Sequence, residues 1–264
     1  MSPQHRIPKF GPVLVRSLLI LAGLGASWGE VVGFDAASPR LAAVLKQYVK
    51  DSRVDYAGLR ARPGDLNAYL DDAAAVARTE FKAWSQADQL AFLCNIYNAA
   101  TLRLIIDHYP VGSIKEIGTL LKGPWDQPVV RLFGEVRTLD HLEHRVIRPG
   151  YAEPRIHVAL VCAANGCPPL RSEPYVGARL EHQLADQARA FLADATKNRV
   201  VAAERTVYLS PIFDWYRRDF EQGSGSVLAA LAPYWPEGTR APGASDGFRI
   251  RYTEYDWSLN RQAK

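Results

Sequence analysis

Two cysteines, Cys162 and Cys167, flank a short turn signal at residues 163–166 and could carry nucleophilic chemistry. Cys167 precedes Pro168 and Pro169. A residue before proline favours an extended backbone, and a proline is well suited to the first turn of a helix. A cysteine that caps such a helix lies near free backbone N–H groups, which stabilise its thiolate. These features make Cys167 a candidate nucleophile.

The same pair has a second interpretation as a structural disulfide. Such a bond would close a loop of four intervening residues, and the loss of loop entropy is worth roughly 2 kcal/mol. The third cysteine, Cys94, makes the number odd, so at least one thiol stays free in a monomer. A zinc site formed by both cysteines with His144 and His157 is the weakest alternative, because the spacing matches no familiar zinc motif. We assign no metal and no cofactor, and the sequence leaves nucleophile and disulfide both open.

Histidine and carboxylate side chains in neighbouring segments could support the thiol. The catalytic hypothesis uses Cys167 as nucleophile, His157 or His144 as general base and Glu143 to orient the base, for hydrolysis or for acyl or amide transfer. Adjacent residues on a helix diverge, so Glu143 is expected to orient His157 rather than His144. The plain alternative for His157 is a hydrogen-bonded core histidine. If residues 155–162 form a regular strand, His157 and Cys162 face opposite sides about 17 Å apart.

Asn95 and Asn98 share one face of a long, apolar helical segment. Buried carboxamides need hydrogen-bond partners. Either these side chains hold neighbouring loops in place, or they line a pocket and bind a substrate amide or an oxyanion.

The periodicity of apolar residues predicts the elements that position these groups. A helix follows Ser38-Pro39, and Ser85 caps the long helix that ends before Pro110. Thr138 caps a helix that ends at Pro149-Gly150. Further predicted helices cover about 63–76 and 176–196 and start again at 210, and predicted strands cover 129–132, 135–137, 155–162, 206–209 and 248–252. The pattern predicts an α+β fold, in which a central buried helix and further helices pack on a small, mostly antiparallel sheet.

Composition and charge restrict the function classes. The chain has 264 residues, 48% hydrophobic and 23% charged, which is typical of a globular protein. Residues 1–29 combine three basic residues with a short apolar run, which indicates a secretory signal peptide or, alternatively, an N-terminal anchor. Without this segment the chain has 29 basic and 28 acidic residues, a net charge near zero, which argues against nucleic acid as a partner. We expect one domain over 35–264, periplasmic or secreted, that touches membrane only through an uncleaved N-terminal segment.

Several motifs together resemble a known family. They are Val-Asp-Tyr at 54–56, Gln-Leu-Ala-Phe-Leu-Cys-Asn-Ile-Tyr-Asn-Ala at 89–99, Thr-Leu-Asp-His-Leu-Glu-His at 138–144, the run 155–170 with its Cys-Pro-Pro, Ser-Pro-Ile-Phe-Asp-Trp-Tyr at 210–216, Asp-Phe at 219–220 and Tyr-Asp-Trp-Ser-Leu-Asn at 255–260. Over about 40–260 the chain resembles the family called domain of unknown function 547. The resemblance implies no established activity.

Two functions therefore stand at this point. The first is an exported cysteine-dependent hydrolase or amide or acyl transferase that acts on a small-molecule or peptide-like substrate. A central helix against an antiparallel sheet would be similar to papain-like enzymes, although the order of elements differs, so this likeness is an analogy. The second is a non-catalytic envelope domain for binding or structure, closed by a Cys162–Cys167 disulfide.

Overall fold

The computed structural model describes residues 33–239, 242–243 and 246–263, so the expected signal segment lies outside it. These residues form a single-domain α+β arrangement, as predicted. The α-helices are α1 Pro39–Tyr48, α2 Tyr56–Ala61, α3 Gly64–Ala75, α4 Arg78–Ala83, α5 Gln86–His108, α6 Leu139–His141, α7 Arg148–Gly150, α8 Ile156–Ala159, α9 Leu180–Leu192, α10 Ile212–Trp215, α11 Arg217–Glu221 and α12 Val227–Leu231. The strands are β1 Val49–Lys50, β2 Arg53–Val54, β3 Val130–Leu132, β4 Glu135–Arg137, β5 Arg199–Val201, β6 Thr206–Leu209 and β7 Arg249–Tyr252.

The helix α5 is the centre of the larger hydrophobic core. The hydroxyl of Ser85 accepts a hydrogen bond from the Asp88 N–H at 3.1 Å, which is the predicted cap. Apolar side chains surround the helix axis, and the helix is buried on all sides. By length and composition α5 could cross a membrane, but 89% of its apolar window is buried within the protein, as in the core helix of a globular domain.

Within the described residues, three small sheets replace the one expected sheet. The predicted hairpin is confirmed, because β3 and β4 pair across Phe133 and Gly134, which both have positive φ. The largest sheet has the order β5-β6-β7, with one antiparallel and one parallel pairing. It contributes Val207 and Leu209 to a second hydrophobic cluster with Phe191. Most of the strand pairings are antiparallel, and β3 of the short hairpin packs directly on α5.

The prediction of a strand at 155–162 is wrong. The segment starts with the helical turn α8 and then becomes extended without a strand neighbour. The side chain of Asn98 supplies the missing partners: its amide donates to the Ala159 carbonyl at 3.0 Å, and its oxygen accepts from the Val161 N–H at 3.0 Å. The apolar composition correctly predicted burial, but it could not distinguish a strand from a buried turn.

Asn95 has the same role one turn earlier on α5. Its amide donates to the Tyr175 carbonyl at 2.8 Å, and its oxygen accepts from the Tyr175 N–H at 2.8 Å. Both carboxamides therefore have their hydrogen-bond partners in the backbone of neighbouring segments. This favours the first alternative, in which Asn95 and Asn98 hold neighbouring loops in place, over binding of a substrate.

We expect Asn98→Ala to lower the free energy of unfolding by about 2 kcal/mol or more, because it leaves a buried N–H and a buried carbonyl unpaired. Urea unfolding followed by circular dichroism measures this change. The exposed Gln86→Ala at the start of the same helix is the control, expected to change stability by less than about 0.5 kcal/mol. Equal effects of the two substitutions would contradict the role given to Asn98.

Candidate active site

A cavity of about 230 Å³ brings together four of the residues singled out from the sequence. Cys162, Cys167, His157 and Glu143 all line it. Aromatic side chains form much of the remaining wall: Tyr97, Trp125, Trp215, Tyr216, Tyr255 and Trp257. The cavity is thus a pocket with polar groups grouped among aromatic rings, an arrangement typical of small-ligand sites.

The C-terminal segment holds the cysteine loop in position. The Gly166 N–H donates to the Asp256 carbonyl at 2.8 Å, and the Asn260 N–H donates to the Ala163 carbonyl at 3.0 Å. Gly166 is needed for this approach, since a Cβ there would lie 2.9 Å from the Asp256 nitrogen and 3.0 Å from the Tyr255 ring. The pairing carries Tyr255 to the sulfur atoms.

The two cysteines are free thiols in direct contact. Their Sγ atoms are 3.1 Å apart, the Cys162 N–H donates to the Cys167 Sγ at 2.9 Å, and the Tyr255 hydroxyl lies 3.1 Å from the Cys162 Sγ. Cys162 is partly exposed, whereas Cys167 is buried.

This contact favours Cys162 rather than Cys167 as the nucleophile. Hydrogen bonding to Cys167, and in addition to Tyr255, lowers the pKa of the Cys162 thiol. Burial raises the pKa of Cys167. Cys167 is predicted as the nucleophile because it would cap a helix that starts at Pro168. That expectation is wrong, because no helix begins at Pro168. Of the two cysteines, the predicted nucleophile Cys167 is therefore the more buried residue.

His157 is held by a carboxylate other than the predicted one. Its Nε2 lies 2.7 Å from Asp219 Oδ2, and its ring stacks on Tyr216 with centroids 3.7 Å apart. Arg148 donates two hydrogen bonds to Asp219, at 2.7 and 2.9 Å. Glu143 is on the opposite side of the ring, with Oε1 3.9 Å from the buried His157 Nδ1, which has no hydrogen-bond partner among the described residues. Asp219 is therefore the group that orients the imidazole.

The electrostatics favour a neutral imidazole. Burial lowers the pKa of His157, and this outweighs the opposing effect of Asp219. The hydrogen bonds from Arg148 hold the pKa of Asp219 at about 2. An ionised Asp219 accepts a hydrogen bond, which assigns the ring proton to Nε2 and leaves the Nδ1 lone pair available as a base.

Glu143 and His144 lie on a π-helix, Leu142–Ile147, between α6 and α7. Irregular turns of this kind are frequent at functional sites. Glu143 is buried and accepts a hydrogen bond from the Tyr97 hydroxyl at 3.1 Å. His144 points elsewhere, with Nδ1 2.9 Å from the Arg148 Nη1, and it is not part of the cavity wall. The predicted divergence of the two side chains is seen, and of the two candidate bases only His157 lines the cavity.

Sequence reasoning missed Asp219 and Tyr255 as site residues. Both belong to motif blocks, but each is far along the chain from the groups that it contacts, 62 positions from His157 and 93 from Cys162. Trp215 at the cavity wall is half exposed. Among the described residues no hydrogen bond joins His157 to either sulfur, and no group of three or more acidic, histidine or cysteine side chains is arranged to hold a metal ion.

The fold and the cavity define an α+β domain with a thiol pair and a carboxylate-bound histidine in one pocket. Residues 81–192 match the family described as "Protein of unknown function, DUF547", which supports the resemblance that the sequence motifs indicated. The matched segment contains both cysteines, His157 and Glu143, whereas Asp219 and Tyr255 lie beyond it. No curated protein and no solved structure matches the chain.

We expect Gly166→Ala to destabilise the protein by about 1–3 kcal/mol, because the added methyl group is forced against Asp256 and Tyr255. It should also change the rate at which iodoacetamide alkylates Cys162, since Tyr255 would move from the sulfur. Gly150→Ala is the control, because a Cβ there meets nothing within 4 Å. Unfolding curves and peptide mass spectrometry measure both effects, and a stable Gly166→Ala with unchanged Cys162 alkylation would refute the close packing of the loop.

Proposed function

We propose that the protein is a cysteine-dependent hydrolase or an acyl or amide transferase, with Cys162 as the nucleophile. The observation that carries the proposal is that a partly exposed thiol with a lowered pKa and an imidazole oriented by a carboxylate line the same small cavity. A nucleophile, a base and a group that orients the base are the parts that covalent acyl transfer requires.

The reaction would begin with transfer of the Cys162 proton to His157 Nδ1 across the cavity. The sulfur then attacks the carbonyl carbon of an ester or amide, and the imidazolium returns the proton to the leaving oxygen or nitrogen. Water or an amine, deprotonated by Nδ1, releases the acyl group from sulfur. The imidazole and sulfur are not hydrogen-bonded, but catalytic hydrogen bonds are often long before substrate binds.

The carboxylates beside the two ring nitrogens would stabilise the imidazolium in this cycle. Asp219 bonds to Nε2, and Glu143 lies 3.9 Å from Nδ1. Both raise the pKa of His157, against the effect of burial. The positive charge thus develops between two negative groups, where preorganised electrostatic stabilisation is effective.

The size of the cavity favours a small substrate group. At about 230 Å³ it is smaller than the pockets that enclose a drug-sized ligand, roughly 300–1,000 Å³. A short acyl chain or a single side chain of a peptide-like substrate would fit among the aromatic rings. Asn95 and Asn98 do not line this cavity, so the proposal gives them no contact with substrate.

We expect the protein to become acetylated on Cys162 by p-nitrophenyl acetate, a generic ester, and to release nitrophenol. Cys162→Ser should lower the rate by about 100-fold or more, because serine is a much weaker nucleophile near neutral pH. Cys94→Ser is the control, because Cys94 is fully buried and does not line the cavity. Mass spectrometry of the peptide 156–171 locates the acetyl group. Equal rates for Cys162→Ser and the wild type would refute the proposal.

A non-catalytic domain closed by a Cys162–Cys167 disulfide is the second candidate. The sulfur contact of 3.1 Å favours it, because bond formation would need a further approach of about 1 Å. In that function the disulfide would persist in the native protein and contribute to its stability.

We also propose that the protein is exported, since residues 1–29 have the layout of a secretory signal. Expression of the full chain in a Gram-negative host should give a periplasmic protein whose mass lacks this segment. The intact 29.3 kDa chain in the cytosolic fraction would contradict export, whereas the intact chain in the membrane fraction would indicate the anchor.

A further inference from the structure

The turn between the two cysteines holds their sulfur atoms together without a bond. Ala163 adopts a left-handed conformation with φ 62°, and the Cys167 N–H donates to the Ala164 carbonyl at 3.1 Å. Pairing of this turn with the C-terminal segment fixes its shape. The two thiols are therefore positioned by the fold, and not by a covalent link, at an Sγ–Sγ distance of 3.1 Å.

The two sulfurs also differ in access and acidity. Cys162 is partly exposed and has a lowered pKa, whereas Cys167 is buried and has a raised pKa. Thiol–disulfide exchange uses two thiols with different roles. A reactive, accessible thiolate attacks the substrate disulfide, and a neighbouring, protected thiol then breaks the mixed disulfide that forms.

We infer that Cys162 and Cys167 also act as a dithiol–disulfide pair, which exchanges with low-molecular-weight disulfides that enter the aromatic cavity. This activity does not depend on acyl transfer, although both reactions use the same attacking sulfur. The substrate class is a small disulfide with an uncharged or apolar substituent, because the aromatic rings of Trp215, Tyr255 and Trp257 line the cavity together with the sulfur.

The exchange proceeds in two balanced steps. The Cys162 thiolate attacks one sulfur of the disulfide, forms a mixed disulfide with it and releases the other half as a thiolate. Cys167 then loses its proton to solvent or to that thiolate and attacks the Cys162 sulfur, which releases the second half as a thiolate. The protein dithiol is oxidised by two electrons, and the small disulfide is reduced to two thiols.

The reaction is testable with 2-hydroxyethyl disulfide and the reduced full chain. The peptide 156–171 contains both cysteines, and 83–103 contains Cys94, so an acid quench and mass spectrometry follow each thiol. We expect the wild-type peptide 156–171 to lose two hydrogens as two equivalents of mercaptoethanol are released. Dithiothreitol should reverse the change without denaturant. Cys167→Ser should instead accumulate one mercaptoethanol adduct on Cys162, because the resolving thiol is missing.

Cys162→Ser and Cys94→Ser serve as the matched variants. The first should lower the exchange rate by about 100-fold, because the buried Cys167 is left alone. The second should react like the wild type, since Cys94 is fully buried and does not line the cavity. In each variant that retains Cys94, its resistance to iodoacetamide reports that the chain is folded.

Three outcomes would overturn the inference. In the first, the native protein forms no intramolecular disulfide, and in the second, Cys162 reacts no faster than in the urea-unfolded chain. The third outcome is a disulfide that dithiothreitol reduces only after the protein is unfolded, which is how a structural disulfide behaves.

The two proposals fail separately. Acetylation of Cys162 without oxidation of the cysteine pair would refute exchange alone, and oxidation of the pair without acetylation would refute acyl transfer alone.

Discussion

The side chain of Asn98 connects the core of this protein to the segment that carries His157 and Cys162. Residues 159–161 leave α8 and run through the interior, where no strand is available to satisfy their backbone. One carboxamide on α5 supplies a donor and an acceptor to them, each at 3.0 Å. Because an unpaired backbone group in the interior is costly, this contact fixes the path of the chain between His157 and Cys162. The position of both side chains in the cavity depends on it.

The C-terminal part of the chain supplies the remaining contacts of the cavity. The segment around Asp256 pairs with the turn that holds the cysteines, and α11 supplies Asp219 to His157. Each of these contacts is a hydrogen bond between partners remote in sequence. The cavity therefore forms only when the domain is complete, and a fragment limited to residues 81–192 would lack the oriented imidazole and the Tyr255 hydroxyl.

One physical asymmetry links the two proposed reactions. Burial raises the pKa of Cys167, while hydrogen bonds lower that of Cys162, so the thiol of the partly exposed residue is the more acidic of the two. Acyl transfer uses the activated sulfur with the neutral imidazole, and exchange uses it with its neighbour. The oxidation state of the pair would then decide which reaction is open, because a disulfide has no nucleophilic thiolate.

The sequence by itself determined the buried α5 with its Ser85 cap, the β3–β4 hairpin and the α+β class. These features rest on local signals: apolar periodicity, caps, turn residues and spacing. The tertiary structure alone decided that residues 156–159 are helical, that Asp219 rather than Glu143 orients His157, and that Cys162 rather than Cys167 is the accessible thiol. The physical reason is that contacts between distant segments determine these features. Burial and hydrogen bonding to remote residues set the backbone conformation and the pKa values of the site residues, and a short stretch of sequence does not contain those contacts.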